Sequence, residues 1–133
     1  MANDNNQILN VQPHSEDAEQ AVLGSMLSSK EAVNRTLQWL TPSHFYKDAH
    51  GKILSTMIYL SDHGEPIDTV SVADILKKNK ELEQVGGAYY ITGLVESVPT
   101  TAHAERYAKI VLEKALLRKL IHLSSEIAKE AYD

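Results

Sequence analysis

Histidines, serines and carboxylates are where chemistry would reside in this 133-residue chain, and their spacing decides whether any is present. Six histidines occur: His14, His44, His50, His63, His103 and His122. A zinc hydrolase of the H-E-x-x-H type needs two imidazoles one helical turn apart, with a carboxylate between them. No two of these histidines stand at i, i+4, so each is assigned a surface or capping role. Ser43-His44 is adjacency in sequence only, whereas a nucleophile and its base are paired in space. The G-x-S-x-G elbow is absent. Gly24-Ser25 falls inside a helical stretch, where a small residue lets another helix approach. A phosphate loop, G-x-x-x-x-G-K-[ST], is also missing: Gly51-Lys52 lacks the first glycine and is followed by Ile53, and no G-x-G-x-x-G appears. The acidic residues are scattered along solvent-facing positions, with no paired acid and base. There is no cysteine, which excludes thiolate zinc sites, thiol nucleophiles and disulfides, and which fits a reducing cytoplasm. The chain carries no catalytic machinery of its own.

Charge narrows the partners. The formal net charge of −5 opposes nucleic acid as the main partner, because phosphate neutralisation by a basic face supplies most non-specific affinity. Lys77, Lys78 and Lys80 fall at a helix C-terminus, where the dipole favours lysine by itself. Lys114, Arg118 and Lys119 are assigned to a solvated helix face, with a weak nucleic-acid contact as the alternative. No stretch approaches the ~20 apolar residues of a membrane span, and the first fourteen residues, MANDNNQILNVQPH, lack the basic and apolar regions of a secretory signal.

The elements that would position any site are helices. Residues 1–14 are expected to be a flexible polar arm. Ser15 is a plausible N-cap, with Glu16, Asp17 and Glu19 in the first turn. Ala18, Val22 and Met26 follow at four-residue spacing beside Leu23 and Leu27. Ser28 and Glu31 form a second capping signal, ahead of Ala32, Val33, Leu37 and Leu40, with Thr41-Pro42 as the stop. Pro42 can open a short turn toward Phe45. Asp48 to about His63 carries Ile53, Leu54, Met57 and Ile58 at helical spacing. Gly64 and Pro66 end it. Asp68 or Thr69 then caps a helix with Val72, Ile75 and Leu76, and Gly86-Gly87 precedes one with Tyr90, Ile91, Leu94 and Val95, stopped by Pro99. Ile67–Val72 and Ala88–Thr92 are also β-prone, but neither has a strand to pair with, so helix is preferred. Aromatic content of only 6% makes the expected core aliphatic.

From about Thr101 to Asp133 there is neither glycine nor proline. A helix of that length spans roughly 45 Å, against a diameter of roughly 36 Å for a compact body of this size. It should overhang. Tyr107, Ile110, Val111 and Leu117 form one apolar stripe; Leu116, Leu120, Leu123 and Ile127 form a second, with Ala131 beyond. That is wider than one contact face requires. The second stripe either meets another helix or completes the domain's own core. The helical pattern is still running at Glu130–Asp133, so the chain is expected to be a piece of something longer. The sequence-based organisation is a helical globule over 15–100 and a long helix over 101–133.

Four segments together carry a family resemblance: SEDAEQAVLGSML (Ser15–Leu27), HFYKDAHGKIL (His44–Leu54), HGEPIDTVSVADIL (His63–Leu76) and VGGAYYITGLVESVPTTAHAERYAKIVLEKALLRKLI (Val85–Ile121). In this order and spacing they resemble the N-terminal domain of bacterial replicative DNA helicases of the DnaB type. One departure is His103, where the family pattern has asparagine. The resemblance implies an all-α globule followed by a helical hairpin, of which Thr101 onward would be the first arm, truncated before the second. It implies a parent that is a cytoplasmic, hexameric, ATP-driven helicase whose ATP, magnesium and DNA sites belong to a separate C-terminal domain. This fragment would then hold no cofactor. Its partners would be itself, as dimers within a hexameric collar, and the C-terminal domain of primase, with a helicase loader as a further candidate. Self-association is assigned to Leu116, Leu120, Leu123 and Ile127. Two alternatives stand beside this reading: a weak single-stranded nucleic-acid-binding module, and a small helical enzyme of unrecognised type.

Overall fold

The computed structural model describes residues 11–133. Among them are six α-helices, one 3₁₀ turn and no strand. The helices are α1 (Glu16–Ser28), α2 (Lys30–Thr36), α3 (Asp48–Asp62), α4 (Thr69–Lys78), α5 (Gly87–Glu96) and α6 (Ala104–Tyr132), with the 3₁₀ turn at Pro42–His44. Residues 1–10 of the expected polar arm lie outside the described residues.

Local chemistry sets the boundaries. The Ser15 side chain accepts from the Ala18 amide and caps α1. The next cap is Ser29, not Ser28: Ser29 accepts from Ala32, while the Ser28 hydroxyl donates back to the Gly24 carbonyl within α1. The two helices are thus joined by a single extended residue. α2 also ends at Thr36, five residues before Thr41 and well short of Pro42, because the chain turns through Leu37–Trp39 to bring Leu40 into the core. Asp68 caps α4, its Oδ1 accepting from Ser71 at 2.7 Å. That cap decides the ambiguous Ile67–Val72 stretch in favour of helix. Gly64, at φ +66°, follows α3 in the left-handed conformation that a residue with a Cβ resists.

α1 is the hub, packed against α2, α3, α5 and α6. Its Val22, Leu23 and Met26 meet Ile53, Leu54 and Met57 of α3, Val72 and Leu76 of α4, Ile91 and Leu94 of α5, and Ala108 and Val111 of α6 in one aliphatic cluster. Gly24 is required at the α1–α5 crossing. A Cβ there would lie 2.1 Å from the Leu94 carbonyl oxygen, which is backbone and cannot step aside.

Two burial expectations are corrected. Glu19 is not on a solvent-facing position; it is 1% exposed. His50 has no surface or capping role; it is 0% exposed. Both belong to a buried polar cluster.

Candidate interface on the last helix

Helix α6 has 29 residues, about 43 Å at 1.5 Å per residue. Ala104, Ala108 and Val111 are buried on the globule, and Leu112 and Ile110 pack at its margin. After Arg118 every residue to the end of the chain is exposed. The expected overhang is therefore present, and it is the distal half that overhangs.

The structure brings the four sequence-assigned residues onto one side of that half. At 100° per residue, Leu116, Leu120, Leu123 and Ile127 lie within a sector of about 60°. They are 57%, 60%, 46% and 68% exposed. None completes the core of its own subunit. Leu117 and Ile121, also exposed, widen the apolar face on one flank. The stripe is turned about 120° from the side that carries Ala108 and Val111. Tyr107 and Ile110 of the first stripe pack against the core, whereas Leu117 does not.

Arg118 departs from the solvated-face expectation. Its Nη1 donates to the Pro13 carbonyl and its Nη2 to the His44 carbonyl, both at 2.8 Å, and its guanidinium lies 5.5 Å from the Tyr46 ring centroid. His14 stacks on the same Tyr46 ring at 4.0 Å and 12°. Burial, and then the charges of Arg118 and Lys119, hold the His44 imidazole below its ordinary pKa. With its proton off, His44 Nδ1 accepts from the Thr41 amide at 3.0 Å, the capping role expected of it.

The buried polar cluster is the other concentration of titratable groups. Glu19 Oε1 accepts from His50 Nδ1 at 2.7 Å. Glu19 Oε2 accepts from the Tyr46 amide at 2.7 Å, and Oε1 also from the Lys47 amide at 3.3 Å. His50 Nε2 lies 2.6 Å from the Tyr90 hydroxyl, which also accepts from Gln20 Nε2 at 3.2 Å. Burial alone would raise the Glu19 pKa; the His50 hydrogen bond, the two amides and the charge of His50 outweigh it and hold the carboxyl below the ordinary value. An ionised carboxylate can only accept, so His50 donates from Nδ1 to Glu19.

The Tyr–His–Glu order has the look of a proton relay. However, no solvent or substrate reaches Glu19 or His50, and the Tyr90 oxygen is occupied by two partners. The cluster binds α1, α3 and α5 together as a satisfied polar core. Sequence spacing gives no sign of it, since Glu19, His50 and Tyr90 are 31 and 40 residues apart. Among the described residues, no group of three or more histidines and carboxylates is placed to hold a metal ion. No helix there is long and apolar enough to cross a membrane.

Comparison with known proteins agrees with this architecture. A family model described as the DnaB-like helicase N terminal domain matches residues 11–113. The chain is 44% identical over 120 residues to the replicative DNA helicase DnaC of Bacillus subtilis strain 168, covering 90% of this chain and 26% of the relative. It is 42% identical over 122 residues to the replicative DNA helicase DnaB of Geobacillus stearothermophilus, covering 92% of this chain and 27% of the relative. The chain thus spans about a quarter of these relatives' length, and the catalytic helicase portion lies outside what it covers. Among solved structures, the N-terminal domain of DnaB helicase from Mycobacterium tuberculosis superimposes with a TM-score of 0.90 at 42% identity, over 92% of this chain and 87% of that one. A structure of a DnaB-like replicative helicase and its interactions with primase matches with a TM-score of 0.77 at 34% identity, over 89% of this chain and 28% of that one. The family match spans most of the chain and the all-helical fold with its long final helix superimposes on a solved member, so the chain belongs to the DnaB-like helicase N-terminal domain family.

Proposed function

We propose that this domain is a collar element of a ring-shaped replicative helicase, joining subunits to one another and offering a docking surface to primase. The observation that supports it most is the exposed stripe of Leu116, Leu120, Leu123 and Ile127 on the half of α6 that, beyond Arg118, is exposed at every residue. Four large aliphatic side chains facing water on one 60° sector are unfavourable unless a partner covers them, since burying each contributes roughly 1.5–3 kcal/mol. α6 acts as the first arm of a helical hairpin in the full-length protein, and residues 101–133 form the unit that associates. The primase role draws on the helicase relative solved with its primase interactions. ATP hydrolysis, magnesium binding and most DNA contact fall to the remainder of the longer protein, which acts in the bacterial cytoplasm.

Sedimentation equilibrium tests the joining role. The wild-type chain should show a concentration-dependent dimer. Leu120→Asp places a charge in the stripe of both copies and should weaken that dimer a hundredfold or more, about 2.7 kcal/mol or above, with helix content unchanged. A wild-type chain that stays monomeric at high concentration, or a dimer indifferent to Leu120→Asp, overturns the assignment. Capture of the cognate primase C-terminal domain by immobilised wild-type chain tests the docking role in parallel.

A further inference from the structure

We propose that Arg118 and the segment preceding α1 form a clasp that fixes the direction in which the overhanging half of α6 leaves the globule. Arg118 is the last residue of α6 that is not exposed, and its two guanidinium bonds go to carbonyls of two different segments. Pro13 belongs to the segment of chain leading into α1. His44 belongs to the 3₁₀ turn before α3. Tyr46 stands beside them, exposed, with His14 stacked on its ring and the Arg118 guanidinium 5.5 Å from its centroid. A planar fork that reaches two fixed acceptors at once holds direction as well as position, which an ammonium group does not.

Lever geometry shows what the clasp adds. The buried contacts of α6 run from Ala104 to Val111, a base of about 10 Å; Arg118 extends the anchored length to about 21 Å. For the same play at each anchor, doubling the base halves the angular freedom of the rod. The free segment beyond Arg118, fourteen residues to Tyr132, is about 21 Å long. Small tilts at the globule become large displacements where the exposed leucines sit. The clasp concerns the direction of the helix and stands whether or not the leucine stripe pairs.

The chain has no cysteine, so two spin labels can be attached at chosen sites, Asp62→Cys on the globule and Glu130→Cys near the helix end. Measured in a Leu120→Asp background, which keeps chains apart, the electron–electron distance distribution should be narrow when Arg118 is present. Arg118→Ala should broaden it about twofold with circular dichroism unchanged. Arg118→Lys, which retains charge but cannot span both carbonyls, should broaden it by less. An Arg118→Ala distribution as narrow as that of the intact clasp overturns the proposal. Should Arg118→Ala lose helix content, Arg118→Lys decides: a width indistinguishable from arginine overturns it, and a broader one with full helicity supports it.

Discussion

The two halves of α6 use the same residue types to opposite ends. From Ala104 to Val111 the buried positions, Ala104, Ala108 and Val111, are small or β-branched and lie against α1 and α2. From Leu116 to Ile127 they are larger and exposed. Apolar residues thus recur along the whole helix, but on two different faces and with different thermodynamic meaning. Apolar residues in the first half stabilise the fold; those in the second half are available to a partner. The match to the family model ends at residue 113, just before that change.

Paired substitutions break or sharpen this contrast. Leu54→Ala, in the wholly buried core, should cost about 3–4 kcal/mol in urea unfolding, whereas Leu120→Ala in the monomer should stay within about 0.5 kcal/mol. Equal costs would erase the distinction between the halves. The Glu19–His50–Tyr90 cluster should rank next. Glu19→Gln removes the charge that His50 and two amides address, and should cost about 1–3 kcal/mol at pH 7. Because the folded Glu19 pKa lies below its ordinary value of 4.5, its contribution is complete above that value and is lost as the pH falls through the folded pKa. The gap between wild type and Glu19→Gln should therefore close on acidification. A gap that is constant from pH 7 to pH 3 would contradict the ionised, hydrogen-bonded carboxylate.

Smaller effects should favour the variants. Thr36 Oγ1 is buried with no hydrogen-bond partner among the described residues. Thr36→Val keeps the shape and should raise stability by about 1 kcal/mol. Lys80 adopts φ +59° just after α4, a conformation that costs a side chain energy. Lys80→Gly should stabilise by about 0.5 kcal/mol, read as a rise in thermal midpoint, and a fall would indicate that the lysine side chain makes a compensating contact.

Local rules were enough for most of the fold. Ser15, Asp68 and Gly64 are recognisable as caps because capping chemistry acts over three or four residues, and the aliphatic face of α1 follows from its period. The Ser28/Ser29 choice failed because both serines offer an oxygen at a plausible spacing. Only the extended backbone of Ser29 decides between them. The cluster of Glu19, His50 and Tyr90 was invisible for a different reason: a buried charge is tolerated only when distant segments supply its partners, and no spacing rule reaches across 31 residues. Arg118 shows the same limit, since its neighbours on the helix are solvated and its acceptors lie 74 and 105 residues away. The exposed stripe, by contrast, was legible from length and periodicity, because a rod longer than its globule must leave part of its surface uncovered.

Amide hydrogen exchange along α6, followed as a function of protein concentration, tests most directly whether the distal half is built for a partner. Amides of residues 104–111 should exchange slowly at every concentration. Those of residues 119–132 should exchange quickly in dilute solution, where no tertiary contact holds them, and slow markedly as the concentration rises through the dimer range. Distal amides whose protection is the same at all concentrations would contradict the account.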